Sequence, residues 1–134
     1  MRVNPTTKEE IAGVVGRYAA SQPSILAAYL FGSAVHGRLT TDSDIDVALL
    51  FSEPPDALRL LDMREDLTTH LGRQADLVNL NQASAILGMQ VLRNGEIVFE
   101  RSSRATREFQ VRTMFTYFDL KQVRKPIEEA LLSG

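Results

Sequence analysis

The chain has 134 residues, 44% of them hydrophobic and 24% charged, with a net charge of -2 and no cysteine. Its length and apolar share suit one compact domain spanning residues 1–134 with an ordinary core. The missing cysteines exclude disulfides, thiolate metal sites and thiol nucleophiles, and the charge leaves no chain-wide basic field for stable binding of a long nucleic acid.

Met1-Arg2-Val3-Asn4-Pro5 leads into a polar, charged segment, and no run approaches the ~18 apolar residues of a membrane span, so a cytoplasmic protein with no membrane partner is expected. Thr7 to Glu10 spells a capping box, and Ile11, Val14, Val15 and Tyr18 recur at helical spacing, which predicts a helix over about residues 7–20 ended by Pro23. Ile25 to Phe31 is a short apolar run rich in strand formers, cut off by Gly32-Ser33 and a polar stretch through Ser43.

Asp44 to Phe51 predicts a second strand, polar at its start and apolar on both faces toward its end, as inside a sheet. After Pro54-Pro55, the residues Leu58, Leu61, Met63 and Leu67 predict a helix closed by a glycine cap near Leu71-Gly72. Gln74 to Leu80 follows as a third strand, Gln82 to Leu92 as a helix stopped at Asn94-Gly95, and Glu96 to Glu100 as a short last strand. A long amphipathic tail helix over about 103–132 carries Val111, Met114, Phe115 and Phe118, expected first as core against the sheet and, since they exceed one narrow stripe, second as a partner or self-association surface, with Pro126 interrupting the helix near its end. This alternation of elements predicts an α/β (α+β) domain: a small mixed sheet, helices mainly behind it and an open face in front.

Chemistry concentrates between Leu30 and Leu50. Side chains on a strand alternate faces, so Asp44 and Asp46 share one side while Ile45 and Val47 enter the core. Two carboxylates held that close repel unless a cation lies between them, and hard oxygen donors suit Mg²⁺ bound jointly with phosphate. Gly32 lets the backbone turn and approach a ligand, and Ser33 adds a hydroxyl and the free N–H groups of a short helical start, which suits a triphosphate. Asp76 on the third strand can reach the same edge, complete a metal shell and accept a proton from an attacking hydroxyl.

Gly-Ser followed after ten residues by Asp-x-Asp arises by chance in about one chain of this length per several hundred. Placement of the pattern between two predicted strands therefore favours a site over a solvated acid pair at a sheet edge. Arg38 and Ser43 are further phosphate-contact candidates. His36 and His70, the only histidines, are too scattered for a zinc site, and His70 is expected on a solvent face. Arg101, Arg104, Arg107 and Arg112 form a basic stretch at the start of the tail helix, read first as a solvated face and second as a contact for nucleotide, RNA or a partner.

Gly32-Ser33, the ten-residue gap and Asp44-Ile45-Asp46 resemble the signature of the polymerase-beta-type nucleotidyltransferase superfamily. Small size, the forms L-F-G-S and S-D-I-D-V, A-D-L-V around Asp76 and R-N-G-E-I-V-F-E resemble its minimal nucleotidyltransferase branch, whose members are antitoxins paired with HEPN-domain ribonuclease toxins. The match covers about 25–100. It implies Asp44, Asp46 and Asp76 as catalytic residues and metal ligands, Gly32 and Ser33 as triphosphate contacts, Mg²⁺ (two ions) as cofactor and ATP as substrate. It also implies transfer of AMP to a tyrosine hydroxyl of the partner toxin. The sequence departs from the branch at His36, where many relatives carry arginine, while Arg38 lies just beyond Gly37, and either residue is open as the phosphate contact.

Two competing readings stand beside this one. An aminoglycoside-type enzyme would use a small-molecule acceptor, but such relatives carry an extra helical domain that this length does not accommodate. A nonenzymatic antitoxin would neutralise its partner by contact alone, a reading that leaves the retained acids unexplained. Both a homodimer and a hetero-oligomer with the toxin are open through the tail helix.

Overall fold

The computed structural model describes residues 4–36 and 43–133. Helix α1 (Lys8–Ser21) starts at the predicted capping box: the Thr7 side chain accepts from the Glu10 N–H and the Glu10 carboxylate accepts from the Thr7 N–H. Strand β1 (Ile25–Phe31) then runs into a single 3₁₀ turn, Gly32–Ala34. Strand β2 (Ile45–Phe51), helix α2 (Ala57–Leu71) and strand β3 (Ala75–Asn79) form a parallel crossover, and α2 ends at Gly72, a left-handed residue with φ of 69°. Helix α3 (Ala85–Asn94), capped by Ser84, has its first residue three positions later than predicted, because Asn79 and Asn81 hold the preceding segment in a turn: Asn79 Oδ1 accepts from the Asn81 N–H at 3.0 Å. Strand β4 (Glu96–Glu100) and helix α4 (Ser103–Ser133) complete the described chain.

The sheet order is β3-β2-β1-β4, with β1 antiparallel to both β2 and β4 and with β2 parallel to β3. The two central strands bury both faces, which is why β1 and β2 read as nearly continuous apolar runs. Ile45, Val47, Leu49 and Phe51 pack with Ile11, Val15, Met63 and Leu67 under α1 and α2. On the other face, Tyr29, Ala48 and Leu50 pack with Val91 of α3 and Phe109 of α4. The face expected to be open is thus covered over much of its area, and exposure is left to the end where β2 begins. Asn81 fixes the opposite end, its side chain accepting from the Phe51 N–H and donating to the Phe51 carbonyl, each at 2.8 Å.

Two expectations for the tail helix are corrected. Val111, Met114, Phe115 and Phe118 are solvent-exposed, and the packed positions are instead Thr106, Phe109 and Thr113. Small side chains win there because the helices approach closely: a Cβ on Gly88 of α3 would stand 2.9 Å from Thr113 Cγ2. Thr106 satisfies its hydroxyl by donating to the Ser102 carbonyl at 3.1 Å. Pro126 does not interrupt α4, which continues to Ser133. Among the described residues no helix is long and apolar enough to cross a membrane.

Candidate active site

Strand pairing brings the acids together. Asp46 is the second residue of β2 and pairs in register with Asp76 of β3 on one side and with Phe31, the last residue of β1, on the other. Asp44 lies just before β2 and is exposed, a small correction to the predicted strand start. The register is pinned at this end by the Ile45 N–H donating to the Gln74 carbonyl at 2.9 Å and the Ala75 N–H donating to Thr68 Oγ1 at 3.1 Å. Gln74 and Thr68 are positioning residues that sequence reading missed. Neither carries a pattern of its own, since one contributes a backbone carbonyl and the other a helix hydroxyl.

Gly32 has φ of 71°, a left-handed conformation that side-chain-bearing residues rarely adopt. A Cβ at this position would overlap Asp46 Oδ2 and stand 3.3 Å from Asp46 Cγ. The turn therefore lies directly against the carboxylate, and glycine is required for both torsion and space. Ser33 follows in the 3₁₀ turn, and the Val35 N–H closes it on the Gly32 carbonyl at 3.2 Å. Ser43 and exposed His36 flank the site in sequence, whereas Arg38 lies outside the described residues.

The electrostatics are those of a crowded acid cluster. Burial, then the charge of Asp76, then that of Asp44, push the Asp46 carboxyl above the usual carboxylate range. Each cause is relieved by positive charge, so the donor set, all hard carboxylate oxygens beside a glycine that leaves room, fits a divalent cation. Among the described residues no three acidic or imidazole groups form a preformed ligand cage.

Other sequence candidates fall elsewhere. His70 is exposed and packs its ring 5.9 Å from Tyr18, beside a cavity of about 420 Å³ between α1 and α2 on the face of the sheet away from Asp46. Arg101 closes the C-terminal end of α1, donating to the carbonyls of Ile25, Ala20, Ala19 and Gln22 at 2.9–3.3 Å. Arg104 pairs with Glu108 along the helix surface.

Residues 15–104 match the family described as polymerase beta, nucleotidyltransferase. A protein adenylyltransferase MntA from Shewanella oneidensis is 30% identical over 112 residues, covering 84% of this chain and 80% of that protein. A protein adenylyltransferase MntA from Thermococcus cleftensis is 36% identical over 70 residues, 52% of this chain and 69% of that one. In three dimensions the chain is similar to a component of a toxin–antitoxin crystallised with AMP-PNP, with TM-score 0.79, 27% identity and coverage of 90% of this chain and 98% of that one. It is likewise similar to a component of the toxin–antitoxin MntA-HepT, with TM-score 0.75, 25% identity and coverage of 92% and 98%. Paired strand acids against a left-handed glycine, set in this sheet and joined to these matches, establish that the chain belongs to the polymerase beta nucleotidyltransferase family.

Proposed function

We propose that the chain is a single-domain, Mg²⁺-dependent protein adenylyltransferase that moves AMP from ATP onto a tyrosine hydroxyl of a HEPN-domain toxin, and so acts as its antitoxin in the cytoplasm. The observation that carries the chemistry is Asp46, in register with Asp76 and pressed against the Gly32 turn. The acceptor and partner rest on the similarity to MntA adenylyltransferases and to toxin–antitoxin assemblies.

In this reading Asp44, Asp46 and Asp76 hold the Mg²⁺, which supplies neutralising charge beside the phosphates when bound. The close backbone at Gly32 lets the triphosphate approach, and Ser33 offers its hydroxyl and N–H to phosphate oxygens. Asp76, at the edge of the trio, accepts the proton of the acceptor hydroxyl. The acceptor oxygen forms a bond to the α-phosphorus, the bond from that phosphorus to the bridging oxygen breaks, and pyrophosphate leaves with the electron pair. The protein's work is to align these atoms in a cluster that is already electrostatically prepared.

The test incubates purified protein with labelled ATP and Mg²⁺, with and without a HEPN-domain toxin, the product of the adjacent reading frame being the first one tried. Label is expected on the toxin, with transfer lost in Asp44→Ala and Asp46→Ala proteins. Label appearing only on a small alcohol or aminoglycoside would replace this reading with the small-molecule one. Unchanged neutralisation by the two variants would show that contact alone suffices.

A further inference from the structure

Helix α4 carries two opposed faces. Thr106, Phe109 and Thr113 form the packed one, and Tyr117, held under Arg93 of α3 at 5.2 Å, is the last partly buried position among the described side chains. Val111, Met114, Phe115 and Phe118 follow i, i+3, i+4, i+7 spacing on the opposite side, with exposures of 47%, 43%, 68% and 49%. Beyond Tyr117 the helix runs on for about 24 Å with every described side chain exposed, Leu131 and Leu132 among them. A helical extension of that kind gains little from propensity alone and is ordinarily held by packing. A contiguous apolar stripe of four large side chains marks a protein contact.

Charge decides the occupant. Helix α4 holds six Lys and Arg against four Asp and Glu, whereas the rest of the chain holds nine against thirteen, so the stripe is borne on the basic part of an acidic molecule. A second copy docked antiparallel across the Met114–Phe115 centre would set Arg104 against Lys125, offset only by Glu108 against Lys121. A parallel pairing would set each arginine against itself. Neither arrangement complements the margins, and a helix edged with carboxylates complements both.

We propose that the outward face of α4, Val111, Met114, Phe115 and Phe118 with basic margins at Arg107 and Lys121, is the surface on which the toxin docks through an amphipathic helix flanked by acidic side chains. This rests on the antitoxin reading above. Helix-on-helix docking then uses the exposed spacing as anchors, and the basic margins steer encounter.

The test measures binding of the HEPN-domain toxin that accepts AMP in the transfer assay to the full chain, its Phe115→Asp/Phe118→Asp variant and its Arg107→Glu variant, together with sedimentation of each chain alone. The double variant is expected to bind at least 100-fold more weakly with an unchanged melting temperature, because both side chains are exposed. Arg107→Glu is expected to slow association several-fold at low salt, with the difference vanishing at high salt. Wild-type binding matched by the double variant would overturn the docking surface and leave the antitoxin reading standing. Absence of wild-type binding would overturn both. A wild-type dimer that dissociates in the double variant would assign the face to a second copy and overturn the proposal.

Discussion

Replacing Gly32 by alanine separates backbone strain from the role of the site, because the protein contains a matched control. Gly32 and Gly72 have nearly the same left-handed torsion, φ of 71° and 69°. An alanine at either position costs about 1–2 kcal/mol for the conformation alone, or roughly a 4–8 °C loss in melting temperature for a chain of this size. Their surroundings differ. A Cβ at Gly72 overlaps the far end of the exposed Asn4 side chain, which can rotate toward solvent, whereas a Cβ at Gly32 overlaps the Asp46 carboxylate. Asp46 must then move by about 1 Å, and displacement on that scale at a reacting centre costs on the order of 100-fold in rate. Melting temperature and AMP transfer from labelled ATP, measured on both variants, should show similar destabilisation but a large rate loss only for Gly32→Ala. Transfer within threefold of wild type in Gly32→Ala, or equal loss in both variants, would refute the placement of this turn at the reaction.

Asp46 also predicts a pH effect. Its folded carboxyl is raised, so its stabilising contribution is complete below the unfolded carboxylate value and is lost as pH rises through the folded one. In metal-free protein at neutral pH, Asp46→Asn should therefore raise stability by roughly 0.5 kcal/mol, given solvent screening at this partly exposed position, while abolishing transfer. Urea titrations of both proteins at several pH values check this, and a variant less stable than wild type at neutral pH contradicts it. Arg101→Ala removes donors from four carbonyls and a cation 5.0 Å over the Phe99 ring, and should cost about 1–2 kcal/mol in urea unfolding without affecting transfer. Arg101→Lys should recover little, because the planar fork is what spans those carbonyls. The buried Tyr29 hydroxyl has no hydrogen-bond partner among the described residues and is pushed up to about 12, mainly by burial. Tyr29→Phe should be neutral or stabilising by up to about 1 kcal/mol, and a loss beyond that would mean the hydroxyl is satisfied.

Strands β1 and β4 and the start of α1 were legible to the residue or nearly so, because each is bounded by a strong local signal: the Thr7–Glu10 box, Pro23, Gly32 and Asn94-Gly95. The clustering of Asp46 with Asp76 was legible in outline from strand period and order. The register that sets them side by side was not, since it depends on Gln74 and Thr68 through bonds no pattern encodes. The tail helix misled for a physical reason. Hydrophobicity marks the stripe that most needs covering, but the face packed within the chain is chosen by how closely α3 and α4 can approach, which favours Thr106 and Thr113. Pro126 was similarly overread, because the helix continues despite the lost donor.

The parallel crossover through α2 has a thermodynamic corollary. Asp46 and Asp76 become neighbours only after β3 has zipped alongside β2, so on the proposed reading an unravelled or half-formed chain has no place for a triphosphate. Nucleotide capture and global folding are then one linked equilibrium, worth about 2.7 kcal/mol when ligand stands at a hundred times its dissociation constant. Resistance to proteolysis should accordingly rise with nucleotide supply, making the lifetime of the protein a readout of the pool from which it draws its substrate.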